Sequence, residues 1–150
     1  MAMHTWFECK IRYEKVMENG MQKKVTEPYL VDALSFTEAE ARIIEEMTPF
    51  ISGEFTVSDI KRANYSELFP SDEESADRWF KCKLIFITLD EKSGAEKKTS
   101  TQVLVQAADL RDAVKKLDEG MKGTMADYQI GMVSETPLMD VYPYSAGPND

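Results

Sequence analysis

Residues 6 to 13 alternate, with Phe7, Cys9, Ile11 and Tyr13 on one side of an extended chain and Trp6, Glu8, Lys10 and Arg12 on the other. A period of two predicts a strand with one face turned to a core. Glu18-Asn19-Gly20 follows, and because Asn and Gly tolerate positive φ, this triplet predicts a hairpin turn. A returning strand is expected at about 24–34, with Tyr29, Val31 and Ala33 on the inner side. The period then changes. Ser35 stands at an N-cap with Glu38 three residues later, a capping-box spacing that satisfies two orphan amides. Phe36, Ala39, Ile43 and Met47 recur at intervals of three, four and four, the apolar stripe of a helix lying on a sheet. Pro49 and Gly53 stop this helix, and a third strand is expected at about 54–63.

The same pattern is then written again. Trp6-Phe7-Glu8-Cys9-Lys10-Ile11 returns as Trp79-Phe80-Lys81-Cys82-Lys83-Leu84, an offset of 73 residues. One additional residue in the second turn, around Lys92-Ser93-Gly94, raises the offset to 74, so that Leu30, Val31 and Ala33 meet Leu104, Val105 and Ala107. The helix stripe recurs as Leu110, Ala113, Leu117 and Met121, with Asp109 and Asp112 in the capping places, Asp112 being the poorer back-capping residue. The offset returns to 73 before the last strand, expected at about 127–136. Long-period self-similarity decides architecture before any single residue does. The predicted fold is α+β: a tandem duplication of a ββαβ unit, mainly antiparallel, with one helix per unit and pseudo-two-fold symmetry. The first unit spans 5–70 and the second 78–143, with an acidic linker at 71–77 and a flexible tail at 144–150. The two sheets either join into one or pack back to back.

Length agrees with this division. A chain of 150 residues holding two units of roughly 65 leaves each near the lower limit for burying its own core. Hydrophobic content of 43% and charged content of 30% are those of an ordinary soluble protein, and no run approaches a membrane span or the apolar core of a signal peptide. A cytoplasmic location is expected, and with it two reduced cysteines. The net charge of −9 repels polyanions and anionic membranes at long range, though local basic sites remain open.

Alternation assigns Phe and Cys of the repeated motif to the helix-facing core and leaves Trp and Lys behind the sheet. Trp6, Lys10 and Leu30, repeated as Trp79, Lys83 and Leu104, form a candidate binding face, joined by Ile60 and Val133. An aromatic plane beside a cation can stack a base and hold a phosphate. The plainer reading is packing: large apolar groups recurring behind a sheet are covered, by the other unit, a second chain or a ligand. Arg12, Lys23, Lys24, Lys97 and Lys98, with Lys15, form a candidate basic track, whose plainer reading is protection of hairpin edges. Cys9 and Cys82 read as buried inert thiols; no CxxC or HxxxH spacing supports a metal site. His4 has no counterpart in the second half and reads as a surface residue. Glu67, Asp72, Glu73, Glu74 and Asp77 lack the ordered spacing of a calcium loop and read as a solvated connector. No cofactor motif, phosphate-cradling glycine loop or nucleophile elbow occurs.

The motifs that carry a resemblance are the opening W-F-x-C-K, the runs K-K-x-T-E-x-Y-L-V-D-A and S-F-T-E-A-E-A-R, and D-E-K-S-G-x-E-K-K with L-V-Q-A in the second half; the resemblance itself extends over nearly the whole chain. In these segments the sequence resembles an uncharacterised family, a domain of unknown function, of short proteins from gut Bacteroidetes and related phages. The resemblance implies a mobile-element context and brings no catalytic residue or cofactor. The functional expectation is therefore a non-enzymatic binding or adaptor protein whose partner is a protein, including a second copy of itself as a homodimer. The alternative is a nucleic-acid-binding accessory protein using Trp6, Lys10, Trp79 and Lys83, which the net charge disfavours.

Overall fold

A computed structural model describes residues 5–143. Two long strands, β1 (Trp6–Val16) and β2 (Gln22–Asp32), precede helix α1 (Phe36–Met47) and strands β3 (Phe55–Ala63) and β4 (Glu67–Phe69). The same order follows in β5 (Arg78–Leu89), β6 (Glu96–Ala107), α2 (Leu110–Gly120), β7 (Tyr128–Glu135) and β8 (Asp140–Tyr142). The fold is α+β, with two separate four-stranded sheets in the orders β3-β1-β2-β8 and β4-β6-β5-β7. A single continuous sheet is thus excluded.

Each sheet holds a short strand that the alternation did not reveal. β4 follows β3 in the chain but pairs in parallel with β6, and β8 follows β7 but pairs in parallel with β2. The compact units are accordingly 1–64 with 137–150, and 65–136. The limits 5–70 and 78–143 are those of the sequence repeat, not of the packed units. Three residues pairing along the edge of a long strand carry too weak a period to be read as an element. Residues 71–77 are also more than a solvated connector. Ala76 is buried, the Ser71 amide donates to Gln106 Oε1 at 2.9 Å, and Lys116 Nζ reaches both Ser71 Oγ and Glu73 Oε2 at 3.1 Å. The predicted tail at 144–150, Met1-Ala2 and His4 lie outside the described residues.

The hairpins form as their turn chemistry requires. Gly20 and Gly94 adopt φ of +82° and +70°, and the second turn is closed by Asp90 and Ala95 across one more residue than Met17 and Met21 enclose. Both helices are capped as the spacing predicts. Ser35 Oγ accepts from the Glu38 amide at 3.1 Å, while the Glu38 carboxylate reaches back to the Leu34 amide at 3.0 Å. Asp112 accepts likewise from the Ala108 amide at 2.9 Å, so the shorter side chain still reaches its partner.

Phe7, Cys9, Ile11, Val31, Ala33, Ala39, Ile43 and Met47 make the first core, and Phe80, Cys82, Leu84, Val103, Val105, Ala107, Ala113 and Leu117 the second. The first residue of each stripe differs from expectation. Phe36 and Leu110, each the first residue of its helix, are about half exposed; Phe36 makes an edge contact with Phe7, at 4.9 Å between ring centroids. Ile60 and Val133 also move. They pair with Cys9 and Cys82 and pack on the helix side rather than the back. The cause is a register shift in each sheet, which leaves Ser58 and Gly131 without ladder partners and turns the following residues over.

Candidate functional site

The face predicted from the repeated Trp and Lys is closed. Trp6 is 2% and Trp79 5% exposed, and Leu30 and Leu104 are buried, yet none of the four belongs to a helix-facing core. They stand behind their sheets, as alternation predicts. Lys10 is half-buried and Lys83 exposed. A base cannot stack on indole planes so covered, so these residues do not form an open platform. The physical reason lies in size: a large apolar surface left in water costs a few kcal/mol, and the fold removes it.

The basic track does not run as one stripe. Lys24 pairs with Glu14 and Lys23 with Lys15, so adjacent lysines leave opposite faces of the hairpin. Lys97 and Lys98 divide likewise opposite Thr88 and Ile87. Arg12 and Lys24 border an open cavity of about 600 Å³ in which Glu14 and Glu54 supply equal opposite charge. That balance gives an anion no net attraction.

On the helix side of the first sheet, Glu27 collects polar partners. Tyr13 Oη donates to it at 2.8 Å, Tyr29 Oη at 3.4 Å, and Lys15 Nζ lies 3.6 Å away. Burial, then the bond to Glu27, pushes the Tyr13 phenol up to about 12; burial raises Tyr29, and carries Tyr142, stacked on it, to about 12. Phe86, Thr101, Val103 and Phe69 stand at the corresponding positions of the second half, so the cluster is not a requirement of the fold. Its groups satisfy one another. Cys9 and Cys82 are pushed up to about 12 and about 11, chiefly by burial, and at neutral pH they are thiols rather than nucleophilic thiolates. Among the described residues, no group of three or more His, Cys, Asp or Glu side chains is placed to hold a metal ion.

One surface was missed in reading the sequence. Thr37, Ala41, Ile44 and Thr48, spaced four, three and four, form a strip on the side of α1 away from its buried residues, and all four are exposed. The Thr48 hydroxyl is spent on the Ile44 carbonyl at 2.7 Å. Apart from the Thr37 hydroxyl, the strip offers methyl and methylene groups. Leu34, just before the N-cap, is 80% exposed, and Phe50, two residues past the C-cap, is 77% exposed. At the corresponding positions the second half has Arg111, Lys115, Asp118 and Lys122, with Ala108 and Thr124 in place of Leu34 and Phe50. The same helix face is written for water in one half and without charge in the other. The signal was available in the differences between the halves, whereas attention to their identities leads to the buried Trp and Cys.

A family model, the domain of unknown function DUF4494, matches residues 5–144. No curated protein and no solved structure matches the chain. Among the described residues no helix is long and apolar enough to cross a membrane.

Proposed function

The chain belongs to this uncharacterised family, and we propose that it is a non-catalytic binding or adaptor protein whose partner is another protein, engaged through the outer face of α1. One observation carries the reading: Thr37, Ala41, Ile44 and Thr48 are uncharged, whereas the corresponding residues of the second half, Arg111, Lys115 and Asp118 on α2 and Lys122 just past its C-cap, are all charged. The two halves share their strand, cap and core pattern, which supports descent by duplication, and each serves as a physical control for the other. Solvation alone favours the charged version, since surface helices ordinarily carry polar residues opposite their apolar stripe. Loss of that charge on one helix only, with large apolar groups exposed beyond both of its ends, fits a surface that a partner covers. A protein is the favoured partner class because the chain carries a net charge of −9 and its two indoles are buried.

The test is site-specific photo-cross-linking in cells that encode the chain. A photoreactive residue at Ile44 is expected to capture a discrete protein, whereas one at Asp118 captures none. Equal yields from the two positions, or none from either, would remove this reading.

A further inference from the structure

We infer that the α1 strip receives a basic amphipathic helix from its partner; the inference rests on the protein-binding reading above and specifies its chemistry. Geometry comes first. Glu40 is three residues from Thr37 and four from Ile44, which sets it along one border of the strip, while Glu45 is four from Ala41 and three from Thr48, along the other. Both carboxylates are exposed, and neither is in an ion pair among the described residues. The helix thus presents a low apolar ridge between two acidic borders. The residues on the ridge are small apart from Ile44, so a facing helix can approach closely, laying its own apolar residues at i, i+3 or i+4, and i+7 beside Ala41 and Ile44.

Charge then selects among occupants. A second copy of this chain, packing α1 on α1, would bring Glu40 and Glu45 against their own kind and lose affinity to repulsion. An acidic or neutral helix would leave both carboxylates partly desolvated without compensation. A helix with Lys or Arg flanking its apolar stripe answers both borders at once. The net charge of −9 adds long-range attraction for such a partner and raises the association rate at low salt.

The experiment uses the full chain and three labelled synthetic peptides: an amphipathic helix with a leucine stripe and lysine borders, the same helix with glutamate borders, and a scrambled lysine peptide. Fluorescence anisotropy is expected to show the lysine-bordered peptide binding about tenfold or more tighter than the other two, with affinity falling as salt is raised. Glu40→Lys with Glu45→Lys should reverse the preference toward the glutamate-bordered peptide. Ala41→Lys with Ile44→Asp, which writes the α2 residues into α1, should abolish binding while the thermal unfolding curve stays in place. The inference is overturned if the two bordered peptides bind alike, if the charge reversal leaves the preference unchanged, if the scrambled peptide binds equally, or if no peptide binds at low salt. A partner captured at Ile44 that lacks a basic amphipathic helix would also overturn it while leaving the protein-binding reading intact. Failure of capture itself removes the reading instead.

Discussion

The polar groups at the helix starts show how much a single side chain decides. Ser35 and Asp109 each accept an amide of the first turn, and replacement of either by Ala is expected to cost about 1 kcal/mol, read as a lower urea midpoint at unchanged slope. Asp112 adds a pH dependence. The Ala108 amide bonded to its carboxylate, and after it Lys116, hold its folded value below the ordinary 3.8. A carboxyl depressed in the folded state contributes stability that is present above its unfolded value and lost as pH falls through the folded one. The stability that Asp112 contributes is therefore expected to be lost as pH falls below the ordinary aspartate range, and Asp112→Asn should lessen the fall in urea midpoint there. The basic limb has the opposite sign. Cys9, Cys82, Tyr13 and Tyr142 are raised from 9.0 and 10.0 to about 11 or 12, so the stability they contribute is complete below their unfolded values and declines as pH rises through the folded ones. Urea midpoints should fall above about pH 9, while thiol reagents label the native chain far more slowly than the unfolded one.

At the scale of elements, the unpaired residue in each third strand governs which side chains reach the core. Ser58 and Gly131 hold corresponding positions, and the turn-over there is what brings Ile60 and Val133 beneath the helices. Gly131 is further constrained by space: a Cβ would stand 2.9 Å from Ile85 Cδ1. Gly131→Ala is expected to destabilise by about 1 kcal/mol, and Ile85→Val, which removes that terminal carbon, should make the same change nearly neutral. A double-mutant cycle from denaturant unfolding measures the coupling. Elements were the most legible level in the sequence, since alternation, turn glycines and caps are local and repeated twice. The register shifts were not legible, because strict alternation continues through Phe55 and Val57 and nothing local marks where one residue is skipped. β4 and β8 escaped for a related reason: their existence depends on strand edges far away in sequence.

At the scale of the whole molecule, the segment after the last long strand completes the first unit. β8 lies along β2, with Leu138 and Val141 buried, the Met139 amide bonded to the Pro28 carbonyl at 2.9 Å, and Arg42 donating to the Pro143 carbonyl at 3.2 Å. Lys116, at the position corresponding to Arg42, holds Ser71 and Glu73 after β4 in the second unit. The cation on each helix thus secures the chain leaving that unit's short strand. Truncation after Thr136 is expected to destabilise by roughly 3–5 kcal/mol, the worth of burying a Leu and a Val with allowance for the lost strand pairing. In hydrogen exchange, the amides of β2 and α1 should lose protection before those of β5 and β6.

The sequence by itself determined the six longer strands, the helices, caps and hairpin turns, the assignment of Phe and Cys to the helix-facing cores, and the existence of two similar halves. Those properties follow from short-range sterics, hydrogen bonding and the period at which apolar residues recur. Tertiary structure alone decided that Trp6 and Trp79 are covered, that the terminal strands belong to sheets distant in the chain, and that an uncharged strip on α1 remains open to solvent. Whether a large apolar residue ends in a core or on a surface depends on what packs against it, and periodicity, which reports direction within one element, carries no information about its neighbours.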